Sequence, residues 1–236
     1  MSGHLWAGRM VFAVSGVLLA FSVFFAFQWS AVAPPPGANA RLAGVAGVAR
    51  ESAAAAPASP PALFHDDFER DPIGVMPAGW TVDDGRWDGV VEDGSHAVRH
   101  ATGQSYGHLV AGSADWTDYA VSARLRLTSM STGFAGVAAR YQDRDDYYAC
   151  GVYYASAVRL WRVRAGVMTL LDARRMDVAT NGFHDVRLVV KGGSLSCEFD
   201  ATVALTATDR SFANGRIAFV AGSDEAAELD DVVVTG

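Results

Sequence analysis

From residue 63 to the C terminus, short segments alternate apolar and polar residues with the period of a β-strand. The clearest segment has its apolar positions at Tyr119, Val121, Ala123, Leu125 and Leu127, with Ala120, Ser122, Arg124 and Arg126 between them. A second segment repeats the pattern with Val186, Leu188 and Val190 opposite Arg187 and Lys191. Because successive side chains of a strand point to opposite faces, each segment predicts a strand with one buried face.

Dipeptides that tolerate positive φ separate these segments: Asp93-Gly94, Asn181-Gly182, Gly192-Gly193 and Asn214-Gly215. The segments recur about every 8–12 residues, which is typical of all-β sandwiches and barrels. About a dozen strands need two packed sheets to bury their apolar faces. We therefore predict a jelly-roll β-sandwich of two antiparallel sheets over residues 63–236, with no helix longer than two turns.

The N-terminal part has a different pattern. Residues 10–29 are almost wholly apolar, and no charged residue occurs between Arg9 and Arg41. A helix over this run spans about 30 Å, the thickness of the hydrocarbon core of a bilayer. Trp6 and Trp29 flank the run where interfacial aromatic residues lie. The run predicts one transmembrane signal-anchor helix, with a cytoplasmic tail over residues 1–9 and the C-terminal domain periplasmic or extracellular.

The alternative is a cleaved signal peptide, with Ala31-Val32-Ala33 as the cleavage site, which gives a secreted protein. An apolar run longer than the usual 7–15 residues or so and a proline directly after that site favour the uncleaved anchor. Residues 30–62 are rich in Ala and Pro and contain no aromatic residue, so they are predicted to be a linker.

Composition bears on two questions: whether the protein binds nucleic acid, and whether its two cysteines form a disulfide. The formal net charge is −7, and the chain has no basic stripe, which excludes nucleic acid as a partner. Cys150 and Cys197 are the two cysteines of the chain, and both fall in alternating segments. An extracytoplasmic location permits a disulfide between them. Two buried free thiols that act as small apolar groups are the favoured interpretation.

Several short motifs together resemble a known family. They are Phe64-His65-Asp66-Asp67-Phe68, Pro77-Ala78-Gly79-Trp80, Trp116-Thr117-Asp118-Tyr119, Gly136-Val137-Ala138-Ala139-Arg140-Tyr141 and Leu229-Asp230-Asp231-Val232-Val233-Val234. In this order they resemble the laminin-G-like domains of the concanavalin A-like lectin/glucanase superfamily. Within it, the chain is similar to bacterial domains of unknown function that are related to sugar-hydrolase or sugar-binding modules. The resemblance implies a β-sandwich that recognises or hydrolyses sugars.

The residues favour recognition over catalysis. Retaining glucanases of that superfamily carry the pattern Glu-x-Asp-x-x-Glu, which residues 63–236 lack. His96 and His100 share a strand face but lie about 13 Å apart along it, too far to hold one zinc ion. A divergent glycoside hydrolase or lyase stays an alternative, and it requires Asp143 or Asp146 to meet another acid in a cleft.

A binding face is predicted on two neighbouring segments. One face carries Phe134, Gly136, Ala138 and Arg140, and the other carries Tyr147, Ala149, Gly151 and Tyr153. Small residues between large polar-tipped ones form a trough in which rings pack on sugar faces. Arg140, Tyr147, Tyr153 and Trp161 are the predicted ligand-binding residues. In the alternative, these aromatic residues fill the core, and Tyr148, Cys150, Val152 and Tyr154 are exposed.

A structural calcium ion is predicted where the first and last strands lie side by side. This arrangement brings Asp66-Asp67 close to Asp230-Asp231, and calcium binds six to eight or so oxygen atoms with tolerant geometry. Asp67 and Asp230 are the predicted ligands. The alternative is that these acids are solvated strand-end residues with Arg70 or Arg216 nearby.

These observations predict a membrane-anchored, extracytoplasmic recognition domain that binds a polysaccharide or glycoconjugate without catalysis. A structural protein–protein module of the cell envelope is the remaining alternative besides the divergent enzyme.

Overall fold

The computed structural model describes residues 61–236, apart from residues 102, 104, 105, 129–132, 224 and 225. Of residue 223, only the backbone is described. No helix among the described residues is long and apolar enough to cross a membrane. The predicted tail, the apolar run of residues 10–29 and nearly all of the linker lie outside the described residues.

The regular elements of the described part are strands. They are β1 (Ala62–Asp66), β2 (Thr81–Asp84), β3 (Trp87–Glu92), β4 (Ser95–His100), β5 (Tyr106–Ala111), β6 (Tyr119–Leu127), β7 (Gly133–Asp143), β8 (Asp146–Tyr153), β9 (Ala157–Arg164), β10 (Val167–Arg175), β11 (Phe183–Lys191), β12 (Ser194–Phe199), β13 (Val203–Thr208), β14 (Arg216–Ser223) and β15 (Ala227–Thr235).

The strands form two antiparallel sheets, as predicted. Sheet A has the order β13-β12-β11-β6-β15-β4-β3, and β1 pairs with β15 beside β4. Sheet B has the order β10-β9-β8-β7-β14-β5-β2. The two clearest alternating segments are strands β6 and β11, which pair in sheet A.

The core lies between the two sheets and consists of the apolar positions of the alternation. Val121 and Leu125 of sheet A and Val137 and Phe219 of sheet B are at most 1% exposed. The ring of Trp87 from β3 packs against that of Phe219, with their centroids 5.0 Å apart. Burial of these side chains is the main force that holds the two layers together.

A disulfide crosses this core. Cys150 of β8 in sheet B is bonded to Cys197 of β12 in sheet A, with their Cα atoms 5.5 Å apart. The interpretation of these residues as free thiols is therefore wrong. The alternating pattern places both cysteines on core faces, but it does not show that they lie opposite each other in different sheets.

The outer face of sheet A carries a buried ionic row. Glu228 of β15 is fully buried, and its two carboxylate oxygens accept hydrogen bonds from Arg99 Nε and Arg126 Nε, each at 2.6 Å. Arg126 also pairs with Glu92 at 2.6 Å, and its guanidinium lies 5.2 Å from the ring centre of Phe183. The two arginines flank Glu228 because β15 lies between β4 and β6.

Candidate functional site

A second apolar cluster lies on the outer face of sheet B, away from the core between the sheets. Its members all come from strands of this sheet: Val110, Phe134, Ala138, Tyr141, Tyr147, Ala149, Trp161, Val163, Ala218 and Val220, with Tyr153 packed against them. Their core-facing neighbours along β8 are Tyr148, Cys150 and Val152. The alternative in which those three residues and Tyr154 are exposed is therefore wrong for the three, while Tyr154 is 46% exposed. The predicted trough residues of β8 share the outer face.

Small residues occupy the middle of this outer face. Ala138 lies opposite Ala149 across the β7–β8 pair, and Gly136 lies opposite Gly151. Trp161 of β9 lies beside Ala149, and its ring meets that of Phe134 edge-on at 5.6 Å. Large rings thus pack against small side chains, and the rings and alanines of this cluster are at most 7% exposed.

A row of aromatic rings crosses the strands at one end of this face. The ring of Tyr106 from β5 lies 6.2 Å from that of Phe134, which stacks on Tyr153 at 6.3 Å, and Tyr153 meets Tyr154 at 4.3 Å. Gly222 of β14 lies between Tyr106 and Phe134, and a Cβ atom there would come within 2.2 Å of the Phe134 ring. The end members, Tyr106 and Tyr154, are 52% and 46% exposed.

A cleft of about 400 Å³ opens on the same face. Its apolar lining is Tyr106, Phe134, Val163 and Met168, and its polar lining is Asp84, His108, Arg144, Asp145 and Tyr147. Two hairpin turns meet at its rim, where the Gly166 N–H donates to the carbonyl of Asp145 at 3.0 Å. The cleft therefore combines exposed ring surface with polar groups of both charges.

Several buried polar atoms on this face have no hydrogen-bond partner among the described residues. They are both ring nitrogens of His108, the indole nitrogen of Trp161 and the Nε of Arg159. Burial raises the pKa of the Tyr147 hydroxyl, and the neighbouring Trp161 N–H offsets part of that effect, so these two groups interact. The Arg159 guanidinium lies 3.6 Å from the ring centre of Tyr153. Because buried polar groups are nearly always paired, this concentration requires an explanation.

The structure gives two polar groups of the face a defined protonation state. Burial lowers the pKa of His108 from its ordinary value of 6.5, and the nearby carboxylates of Asp84 and Asp83 offset part of that effect. Burial raises the pKa of Tyr141, whose hydroxyl donates to Asp83 at 2.6 Å. At neutral pH the imidazole is therefore uncharged, with one donor and one acceptor nitrogen, and the phenol is protonated.

The predicted binding residue Arg140 does not lie on this face. A β-bulge in β7 places two residues opposite one residue of β14, and Arg140 within it has φ 48°. Its guanidinium points into loops at the end of the sandwich, where it donates to the carbonyls of Thr117, Gly192 and Phe212 at 2.8–3.0 Å. The side chain is 1% exposed, so its role is structural.

The bulge also changes which residue follows on the outer face. Strict alternation from Ala138 predicts Arg140, but the extra residue brings Tyr141 to the face instead. Tyr119 supports the bulge, because its hydroxyl accepts the Arg140 N–H at 2.6 Å and donates to the carbonyl of Gly215 or Arg216. Nothing in the alternation of β7 indicates this irregularity.

Three of the four predicted binding residues do come together. Tyr147, Tyr153 and Trp161 share the outer face of sheet B, and Tyr147 lines the cleft. Sequence reasoning missed Tyr106 and His108. A signal for both was present, because they alternate with Leu109 along β5 in the way that half-buried strands do.

The predicted calcium ligands are occupied by other contacts. Strands β1 and β15 do pair, with Asp66 opposite Val232. Asp230 is fully buried, and its carboxylate lies 3.6 Å from Arg124 and accepts a hydrogen bond from Ser95. The Asp67 carboxylate accepts the N–H of Glu69. Within the described ranges, no three acidic, His or Cys side chains form a metal-binding group, so this prediction gains no support from the geometry.

No protein-family model and no curated protein matches the sequence. Solved structures do match the fold. The carbohydrate-binding module CBM66 from Bacillus subtilis shares 16% identity, over 67% of this chain and 96% of that module, with a TM-score of 0.57. Domain 4 of AbnA, a GH43 extracellular arabinanase from Geobacillus stearothermophilus solved in complex with arabinotriose, shares 11% identity over 75% of this chain and 92% of that domain, with a TM-score of 0.55.

A third similar structure is the exoplasmic/lumenal domain of VIP36 in its Ca²⁺/Man3GlcNAc-bound form. It shares 11% identity over 66% of this chain and 83% of that domain, with a TM-score of 0.50. At such identities the similarity concerns the fold alone. The described residues therefore form a lectin-like β-sandwich.

Proposed function

We propose that residues 63–236 form a sugar-binding module whose ligand, a polysaccharide or glycoconjugate, lies on the outer face of sheet B. The observation that carries this proposal is a coincidence on one face. Exposed aromatic rings, a cleft and the two ring nitrogens of His108, which have no hydrogen-bond partner among the described residues, all lie there. The opposite outer face, on sheet A, satisfies its buried charges internally through Glu228.

This combination fits the chemistry of a sugar. A pyranose or furanose ring has an apolar C–H surface that packs on aromatic faces, and its hydroxyl groups both donate and accept hydrogen bonds. Bound hydroxyl groups would satisfy the polar atoms that the protein alone leaves unpaired. The exposed rings of Tyr106 and Tyr154 mark the ends of the stacking row.

The similar structures support the same class of ligand. One is a carbohydrate-binding module, another was solved with arabinotriose and a third with Man3GlcNAc. The assignment to the laminin-G-like branch of the concanavalin A-like superfamily, with jelly-roll topology, is part of this proposal and rests on the sequence motifs. A similar fold does not by itself establish a similar function, so the residues of the cleft and of the aromatic row carry the proposal.

The proposed location is outside the cytoplasm, with the module tethered to a membrane. We propose a cytoplasmic tail over residues 1–9, a transmembrane anchor over residues 10–29 and a linker over residues 30–62, and a cleaved, secreted form is the alternative. The disulfide between Cys150 and Cys197 supports this location, because disulfides persist in oxidising compartments.

The test is binding of the full chain, purified in mild detergent, to a panel of insoluble xylan, arabinan and mannan. We expect retention on at least one polysaccharide without release of reducing ends. Tyr106→Ala and Tyr154→Ala should each weaken retention several-fold, since an aromatic contact contributes about 0.5–1.5 kcal/mol.

The matched control is Val91→Ala, which removes an exposed apolar side chain from sheet A. Retention that is equally weakened by this control, or absent from the whole panel, would overturn the proposal. Release of reducing ends by the wild type, abolished by substitution of Asp84 or Asp145, would instead identify a hydrolase.

A further inference from the structure

The imidazole of His108 is the least satisfied polar group in the cleft. It lies on β5, is 4% exposed, and neither ring nitrogen has a hydrogen-bond partner among the described residues. The rings of Tyr141 and Tyr147 pack around it, with centroids 5.9 Å and 5.6 Å away. Both ring nitrogens thus lie where the protein supplies apolar contact but no hydrogen bond.

The polar neighbours of His108 either form hydrogen bonds with other residues or line the cleft as charged groups. The hydroxyl of Tyr141 donates to Asp83, so it does not serve the imidazole. The remaining charged groups around the ring are Asp84, Arg144 and Asp145, which line the same cleft. With Asp83, these groups sum to a negative charge, which disfavours an anionic ligand beside them.

We infer that His108 is a specificity-determining residue of the cleft, and that it selects an uncharged sugar with an unsubstituted hydroxyl group at this position. The inference rests on the proposed function and names the class of sugar. An uncharged imidazole presents one donor and one acceptor, and a sugar hydroxyl group can serve either. An O-acetyl group cannot donate, and a uronate would bring a further carboxylate next to those of Asp84 and Asp145.

Two substitutions separate hydrogen bonding from ring packing. His108→Phe keeps an aromatic ring against Tyr141 and Tyr147 but removes both nitrogens. His108→Gln keeps a donor and an acceptor on a shorter planar group. The control is His65→Phe, at an exposed position of β1 in sheet A.

The probes are arabinan, xylan and mannan, each in native and O-acetylated form, and polygalacturonate as the acidic polysaccharide. The full chain should prefer a native neutral polysaccharide over its acetylated form and over polygalacturonate. We expect about tenfold weaker binding for His108→Phe, the equivalent of one lost hydrogen bond, partial recovery for His108→Gln and no change for His65→Phe.

Folding is a separate readout with its own expected sign. Because His108→Phe removes an unsatisfied buried polar group, its thermal midpoint without ligand should equal or exceed that of the wild type. Should that variant fail to fold, the ¹⁵N chemical shifts of the wild-type imidazole decide instead. They should move when fragments of the bound polysaccharide are added.

The outcomes separate the two levels of the argument. Wild-type affinity in His108→Phe, with binding still lost in Tyr106→Ala, overturns this inference and leaves the proposed function intact. If the ¹⁵N chemical shifts of the imidazole do not change when a fragment binds, this inference is likewise overturned and the proposed function is left intact. Failure of the wild type to bind any polysaccharide overturns the proposed function, and this inference with it.

Discussion

Cys150 in sheet B and Cys197 in sheet A are bonded across the core, so one covalent link joins two layers that are otherwise held together mainly by apolar packing. Both residues are fully buried and lie 47 positions apart in sequence. A loop of this length removes substantial entropy from the unfolded chain when it is closed.

We expect the double substitution Cys150→Ala and Cys197→Ala to lower the free energy of unfolding by about 2–4 kcal/mol. The measurement is urea denaturation of both proteins under oxidising conditions. A thiol reductant should lower the denaturation midpoint of the wild type and leave that of the double variant unchanged. Identical midpoints for the two oxidised proteins would contradict a stabilising role.

Glu228 is the centre of a second prediction. Its buried carboxylate lies between Arg99 and Arg126, and removing its charge leaves two guanidinium groups with fewer partners in a desolvated setting. Glu228→Gln should lower the free energy of unfolding by about 3 kcal/mol. Glu198→Gln is the control, because its pair with Arg187 is half-exposed and should change stability by less than about 1 kcal/mol. Similar losses for both variants would disprove the importance of burial.

Arg140 should be essential for stability and irrelevant to binding. Arg140→Leu leaves the carbonyls of Thr117, Gly192 and Phe212 without their donor. We expect a loss of about 3 kcal/mol in the free energy of unfolding. The folded fraction should keep wild-type affinity for any polysaccharide that the wild type binds, measured below the thermal midpoint. A selective loss of affinity in a variant of wild-type stability would restore Arg140 to the binding site.

His108 predicts the pH dependence of stability. Its pKa in the folded protein is lowered from 6.5, so between those two values the unfolded chain binds more protons than the folded one. This contribution to stability is fully present above pH 6.5 and is lost as the pH falls through the folded-state pKa. Other titratable or charged groups also face the ring: Asp83, Asp84, Arg144, Asp145, Tyr141 and Tyr147. The free energy of unfolding of the wild type should therefore be compared with that of His108→Phe over about pH 4–8. If another group were responsible, the free energies of unfolding of the two proteins would depend on pH in the same way.

The alternating pattern predicted the strands and their core faces well, because burial of one face constrains every second residue. The prediction for Tyr119–Leu127 matches β6, and its five apolar positions are at most 4% exposed. The same logic placed Tyr147 and Tyr153 together on one strand face, which is the outer face of sheet B in the structure. Local period is sufficient for such assignments wherever a strand is regular.

What the pattern missed depends on partners distant in sequence. The β-bulge at Arg140 is supported by the hydroxyl of Tyr119, 21 positions away. The ion pair of Asp230 with Arg124 requires the register of β15 against β6. The pairing of β1 with β15 was anticipated, but a strand neighbour does not determine where each carboxylate points. Tertiary contacts of this kind are set by the whole sheet and not by a short window.

The bulge in β7 has a consequence for how deletions and insertions change the side chains on the outer face of sheet B. Deleting Arg140 would restore regular alternation and leave Tyr141 opposite Arg216 on the outer face. Inserting one residue in a regular part of the strand would instead exchange the core-facing and outward-facing side chains beyond the insertion. The chemistry of the face can therefore be altered by a change in strand length without any substitution. Two chains whose aligned residues agree can therefore present different side chains on this face.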